Sequence, residues 1–245
     1  MNKRFDLKGK IVLITGASSG IGRQTAIAVS ECGGSCVITG RNNKRLSETM
    51  KMLKSKGHTS MIADLTNESD IKNLVENLPE VNGLVHCAGI TPLMPAKFIK
   101  PKHIDEVMEV NYNAAVLLTS QMLSGKKISD HASIVFISSI ATRFPYFGGS
   151  LYVSSKSALQ GYSAVLALEL SPRGIRSNCL LPGFVKTPMF DETLKHTSEE
   201  AMKKFKDLHP LGFGDPEDVA GPVCFLLSDA ARWLTGVNIP LGASI

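Results

Sequence analysis

The feature that most constrains the fold is an alternation, repeated along the whole chain, of short apolar runs with longer amphipathic stretches. The runs are 11–16 (IVLITG), 35–40 (SCVITG), 59–64 (TSMIAD), 82–87 (NGLVHC), 133–139 (SIVFISS), 175–181 (IRSNCLL) and 236–241 (GVNIPL). They are strand-length and apolar at successive positions, so both faces of each must be covered. Helical patterns near 21–32, 43–56, 68–77, 101–124, 151–171 and 216–228 separate them. Such an order predicts an α/β protein with a seven-stranded parallel sheet. Right-handed crossovers make it doubly wound, a Rossmann fold in one domain spanning 1–245. Residues 184–214 are less regular, with Pro188, Pro210, Gly212 and Gly214 around a lysine-rich amphipathic segment. An insertion of that length late in an α/β sheet reads as a substrate lid.

Composition narrows the function classes. Net charge is +5, but the basic residues are dispersed, and pairs such as Lys126-Lys127 and Lys203-Lys204 are too short for a nucleic-acid tract. Five cysteines at 32, 36, 87, 179 and 224 give neither a disulfide framework nor a zinc pattern. The histidines at 58, 86, 103, 131, 196 and 209 lack metal-ligand spacing, so no metal is expected. The start, Asn2-Lys3-Arg4 and then Phe5-Asp6-Leu7-Lys8, leads into an apolar run too short for a secretion signal. No stretch reaches the roughly 18 apolar residues of a bilayer span. The expectation is a cytoplasmic enzyme without nucleic-acid or membrane partners.

The first strand runs into Thr15-Gly16-Ala17-Ser18-Ser19-Gly20-Ile21-Gly22, and a helix follows at once. Glycines admit positive φ and close approach of backbone to a pyrophosphate, while the helix N-terminus supplies free N–H groups. Strand, glycine turn and helix in the first βαβ unit are the context a dinucleotide requires. The second strand ends Thr39-Gly40-Arg41-Asn42. It has no carboxylate to hold a ribose hydroxyl, and Arg41 is placed to pair with a 2′-phosphate, so NADP is favoured over NAD.

Tyr152-Val153-Ser154-Ser155-Lys156 opens another helical pattern, and residues four apart share a helix face. A free tyrosine titrates near 10, too high for acid/base work at neutral pH. A lysine ammonium about 6 Å away, at an effective dielectric near 20, favours the phenolate by roughly 3 kcal/mol, or about two pH units. Ser139, at the end of the fifth strand, can hydrogen-bond a substrate oxygen.

Together these residues resemble the short-chain dehydrogenase/reductase family over nearly the whole chain. The matching motifs, in order, are Thr15-Gly16-x-x-x-Gly20-x-Gly22, Asp64-Leu65, Cys87-Ala88-Gly89, Asn111, Ser139, Tyr152-x-x-x-Lys156 and Pro182-Gly183-x-x-x-Thr187. The resemblance implies that Tyr152 is the general acid in reduction, and that Lys156 holds the nicotinamide ribose and lowers the tyrosine's pKa. Ser139 would orient the carbonyl and Asn111 would anchor a relay water. Ser18, Ser19 and Ile21 fall in the glycine turn, Asp64 and Leu65 would meet the adenine, and Ala88-Gly89 would pass beside the ribose. Pro182 and Gly183 lead to Val185 and Thr187, which would hold the carboxamide.

The chain departs from the family pattern at Cys87, where the family has an asparagine that braces the central strands. It departs again at the C-terminus, Leu241-Gly242-Ala243-Ser244-Ile245, which is trimmed. The leading expectation is an NADPH-dependent reductase of a ketone or 3-oxoacyl thioester. The alternatives are a sugar, polyol or steroid alcohol dehydrogenase and, from another class, a non-catalytic nucleotide-binding regulator. Near the active residues stand Phe144, Tyr146 and Phe147 beside Arg143, with Phe184, Met189 and Phe190 in the lid, which predicts an apolar pocket with an anion-tolerant edge. The apolar stretches 101–124 and 151–171 predict a homo-oligomer, a tetramer or else a dimer.

Overall fold

The computed structural model describes residues 3–195 and 199–243. His196, part of the expected lid, and Ser244 and Ile245 at the C-terminus lie outside the described residues, as does the Asn2 of the basic start.

Seven strands, β1 (Ile11–Thr15), β2 (Ser35–Gly40), β3 (Thr59–Ile62), β4 (Val81–His86), β5 (Ile128–Ile137), β6 (Arg176–Pro182) and β7 (Asn238–Leu241), form one sheet in the order β3-β2-β1-β4-β5-β6-β7. Every pairing is parallel. This is the doubly wound, single-domain Rossmann architecture that the alternation predicts.

Period-two geometry sorts the strand side chains between the two faces. Leu13, Leu84, Ile134 and Phe136 point to one side, where they pack with Leu74 of α3 (Glu68–Asn77), Leu118 of α5 (Ala114–Ser124) and Leu159 of α6 (Ser150–Glu169). Val12, Ile14, Val85 and Val135 point to the other. They meet Ala26 and Val29 of α1 (Gly20–Glu31), Leu46 of α2 (Asn43–Met52), and Val219 and Val223 of α9 (Pro216–Leu227). Each fully buried leucine or valine contributes about 1.5–3 kcal/mol relative to exposure, so neither face tolerates a polar substitution.

Three local differences from the sequence reading matter for the site. The stretch expected as one helix over 101–124 is α4 (Pro101–Met108), a π-helical turn (Glu109–Asn113) and α5. The wider turn carries Asn111, and an inserted π turn inside a helix commonly marks a functional position. Strand β5 stops at Ile137, so Ser139 lies beyond it as the N-cap of a short 3₁₀ turn, where its hydroxyl accepts from the Ala141 N–H at 3.2 Å. The interval 184–214 is built largely of helix, α7 (Pro188–Leu194) and α8 (Glu199–Asp207). Strand order reverses between β1 and β4, and the crevice beyond their C-terminal ends is where this architecture binds ligands.

Candidate active site

The glycine turn closes this crevice from below. Gly16 has φ +63, and a Cβ there would fall 2.8 Å from the Ala88 backbone nitrogen; a Cβ on Gly22 would collide with the Gly16 carbonyl oxygen. Both glycines are therefore demanded by backbone packed against backbone. Thr15 ties β1 to β4 by accepting from the N–H groups of Cys87 (3.1 Å) and Ala88 (3.3 Å). Ser19 caps α1 without using its side chain, which leaves the first N–H groups of that helix pointing into the crevice.

A groove of about 320 Å³ runs from this turn. Gly16, Ser18, Ser19, Ile21, Gly22, Arg41, Asp64, Leu65, Cys87, Ala88, Gly89 and Thr187 of the sequence-predicted set line it. Gly20 and Asn42 do not; Asn42 instead caps α2 by accepting from the Arg45 N–H at 3.0 Å. Arg45 also lines the groove beside Arg41, a second cation that sequence reasoning missed. Arg41 lies 3.8 Å from Asp64. Burial would raise the Asp64 pKa, but its bonds from Thr66 and the Arg41 charge prevail and hold the carboxyl below its usual range. The pair is exposed and worth only about 0–1 kcal/mol, so Arg41 can turn to a phosphate at little cost. A cationic end, a glycine floor and a helix N-terminus are a donor set that fits a dinucleotide with a phosphorylated ribose.

The groove opens into a second cavity of about 390 Å³, and Ser139, Tyr152 and Lys156 line that one together with Pro182, Gly183 and Val185. Helix α6 presents Tyr152 and Lys156 on one face, with the lysine Nζ 5.9 Å from the tyrosine ring centroid. The ammonium is buried and donates to the Ile137 carbonyl at 2.9 Å. Burial pushes its pKa down to about 8. The Tyr152 ring lines the cavity, yet dense protein around the phenol pushes it up to about 12 against an opposing hydrogen bond with Ser139. Here the expected lowering of the tyrosine by the lysine does not operate. Desolvation penalises both charges, and the lysine's hydrogen bond goes to a carbonyl instead.

Asn111 is buried and lines neither the groove nor the cavity. Its Oδ1 accepts from the Ile90 N–H at 2.7 Å, and its Nδ2 donates to the Ile90 carbonyl and to Ser155 Oγ, each at 2.9 Å. It thereby clamps the loop after β4 to α6. Beneath it, His86 stacks on Phe136 with ring centroids 4.8 Å apart and meets Thr119 Oγ1 at 2.9 Å. Burial, aided by the Lys156 charge, drives this histidine down to about 3, so it stays neutral. At Cys87, burial likewise pushes the thiol up to about 12. The buried Thr25 hydroxyl beside it has no nitrogen or oxygen partner, a bond that an asparagine amide would offer.

The outer wall of the cavity is aromatic and aliphatic. Phe144, Tyr146, Phe147, Phe184, Met189 and Phe190 all line it, but Arg143 does not, so the expected anion-tolerant edge is absent from the described lining. Phe205, Leu208, His209, Leu93 and Thr91 complete the wall, and no motif pointed to them.

Comparison with known proteins settles the relationship. The family model described as short chain dehydrogenase matches residues 10–198. The chain is a short-chain dehydrogenase/reductase. As a member of that family it is an oxidoreductase acting on carbonyl or alcohol groups, and the family binds a nicotinamide cofactor. The 3-oxoacyl-[acyl-carrier-protein] reductase FabG of Rickettsia felis is 36% identical over 236 residues, 96% of either chain. The human dehydrogenase/reductase SDR family member 2, mitochondrial, is 33% identical, covering 98% of this chain and 87% of that protein. Among solved structures, angucycline C-6 ketoreductase LanV with bound NADP is 26% identical with a TM-score of 0.87, covering 96% of this chain and 95% of that one. A short chain dehydrogenase/reductase family protein is 28% identical with a TM-score of 0.86, covering 96% and 97%. Among the described residues, no helix of this dehydrogenase/reductase is long and apolar enough to cross a membrane.

Proposed function

We propose that the chain is an NADPH-dependent reductase of a ketone or 3-oxoacyl thioester, with Tyr152 as its general acid. The observation that carries this reading is that Ser139, Tyr152 and Lys156 share one cavity, into which the glycine-floored groove opens. The nicotinamide, when bound, supplies the hydride to the substrate carbon. Tyr152 donates the phenolic proton to the substrate oxygen, giving the alcohol, and Ser139 orients that oxygen by hydrogen bonding. A phenol pushed up to about 12 is protonated at neutral pH and so has a proton to give, although burial makes it a weaker acid than a free tyrosine. Lys156 holds the ribose and Asn111 positions the water that returns the proton. Val185 and Thr187 hold the carboxamide, while Arg41, with Arg45 beside it, takes the 2′-phosphate. Residues 184–214 act as the lid. The largely apolar lining supports a ketone over a sugar or polyol.

The reading also assigns a cytoplasmic place, in keeping with five free cysteines, and a homotetramer. Most of the apolar runs of α5 and α6 face their own sheet, but Val165 and Leu168 are 51% and 76% exposed. A second subunit would cover them. Light scattering at micromolar concentration tests this; the mass of one chain would rule the oligomer out. Consumption of reduced cofactor with a panel of ketones and 3-oxoacyl thioesters tests the activity. NADPH is expected to outperform NADH at least about tenfold in kcat/KM. Equal efficiency would contradict the cofactor choice, and no consumption with any substrate would contradict the reductase.

A further inference from the structure

We propose that the substrate is an uncharged ketone carrying a bulky aromatic ring system, not a short acyl chain on a polar thioester arm. The inference rests on the ketoreductase reading above and comes from the aromatic wall of the cavity that Tyr152 also lines.

Phe184, just after β6, is the centre of that wall. Its ring centroid lies 4.6 Å from Phe205 of α8 and 5.6 Å from Phe190 of α7, at interplanar angles of 51° and 63°. Tyr146, from the loop before α6, stands edge-on to Phe205 at 6.2 Å and 90°. Tilted and edge-on rings at these spacings present both faces and edges, the arrangement that another aromatic ring packs against best.

His209 holds the wall in place. Its ring is buried; Nε2 accepts from the Phe184 N–H at 2.9 Å, which puts the hydrogen on Nδ1 to donate to the Phe205 carbonyl at 2.6 Å. One imidazole thus bridges the strand end to the lid helix, and Gly183 leaves room for it, since a Cβ there would strike Nε2. On the far side, Tyr146 Oη meets Thr91 Oγ1 at 3.2 Å, so its polar end is satisfied and the ring is left as an apolar surface. The wall is set before any ligand arrives, which reduces the ordering cost of binding.

Charge and rim exclude the other classes. Among the described residues, Lys156 is the only lysine, arginine, aspartate or glutamate lining the cavity, and its ammonium already donates to the Ile137 carbonyl, so a substrate carboxylate or phosphate would be desolvated with no second cation to meet it. The rim is apolar as well: Phe147, Met189 and Leu93 line the cavity while 84%, 39% and 37% exposed. A bulky apolar substrate covers these side chains. A pantetheine-like arm, whose amides would stay bonded to water at so exposed a rim, would gain less from covering them.

The test compares β-tetralone with acetoacetyl-N-acetylcysteamine, using the intact protein and NADPH. The expected kcat/KM for β-tetralone is at least about tenfold higher, and Phe184→Leu and Phe205→Leu, which keep apolar bulk but remove a ring, lower that preference about tenfold through KM. Preference for the thioester, or a preference indifferent to both variants, overturns the inference while the reductase reading stands. If neither substrate is reduced, nor any other ketone or 3-oxoacyl thioester of the panel, the reductase reading fails. Calorimetric titration of the two compounds into the protein with NADP⁺ then decides the pocket separately: binding of β-tetralone alone supports it, and no binding overturns it.

Discussion

The two ends of the active-site crevice are built on opposite principles. At the cofactor end the binding surface is backbone: Gly16 and Gly22 exist because a Cβ would strike Ala88 or Gly16, and the helix N-terminus contributes N–H groups. At the substrate end the surface is side chains, rings from three separate segments, two of them joined by His209 and the third held by Thr91. Backbone binding requires particular residues at fixed spacing, here Gly16 and Gly22. Side-chain packing can be met by many combinations. In this chain the glycine turn therefore serves the groove, while Ser139, Tyr152 and Lys156 stand with the rings in the cavity that side chains build.

The largest effect expected from this contrast is at Gly22. Gly22→Val sets a branched side chain against the Gly16 carbonyl, so the turn must shift. Cofactor affinity should fall at least about a hundredfold, two powers of ten that correspond to about 2.7 kcal/mol. Fluorescence titration with NADPH reads this, and near-normal affinity would break the backbone half of the comparison. Next is Arg41→Ala, which removes a side chain and leaves the turn intact. NADPH binding should weaken by about 1.5–3 kcal/mol, the range for hydrogen bonds to charged groups, while NADH is little affected. Equal losses for both would mean that Arg41 acts on the fold and not on the phosphate.

The smallest effect concerns the residue between the two ends. Burial lowers the Lys156 pKa from 10.5 to about 8, so the folded protein carries its ammonium at a cost of roughly 3 kcal/mol below that range. The unfolded chain holds the extra proton between those two values, and the stability of the cofactor-free protein should therefore rise as pH climbs from about 8 to 10.5. Lys156→Met removes the charge and also the bond that the ammonium donates to Ile137, worth about 2 kcal/mol as a hydrogen bond from a charged group. The variant should be inactive yet about 1 kcal/mol more stable at pH 7, without the alkaline rise, by denaturant titration across pH. Loss of stability would show that the ammonium supports the fold.

What the sequence disclosed follows the same division. The seven parallel strands, the glycine turn and the Tyr152–Lys156 pair were legible because each depends on a period or a spacing. Arg45 was not, since it lies inside the first turn of α2, beyond the strand end where a phosphate-binding arginine is sought. Phe205 and His209 were not, because their partner Phe184 lies more than twenty residues away in the chain, at 25 for His209. The π turn at Asn111 also escaped, as it keeps the apolar pattern of an ordinary helix. Arg143 was misread as a pocket residue on sequence proximity alone; its backbone closes the 3₁₀ turn at Ile140, and the side chain is exposed.

The central claim, that a tyrosine proton completes reduction in a site that otherwise only binds, is tested most directly by Tyr152→Phe. The ring and its packing stay, and only the donor is lost. With NADPH and the best ketone of the panel, turnover should fall at least about a hundredfold while NADPH affinity barely changes. Turnover within a few-fold of the unaltered protein would contradict the account.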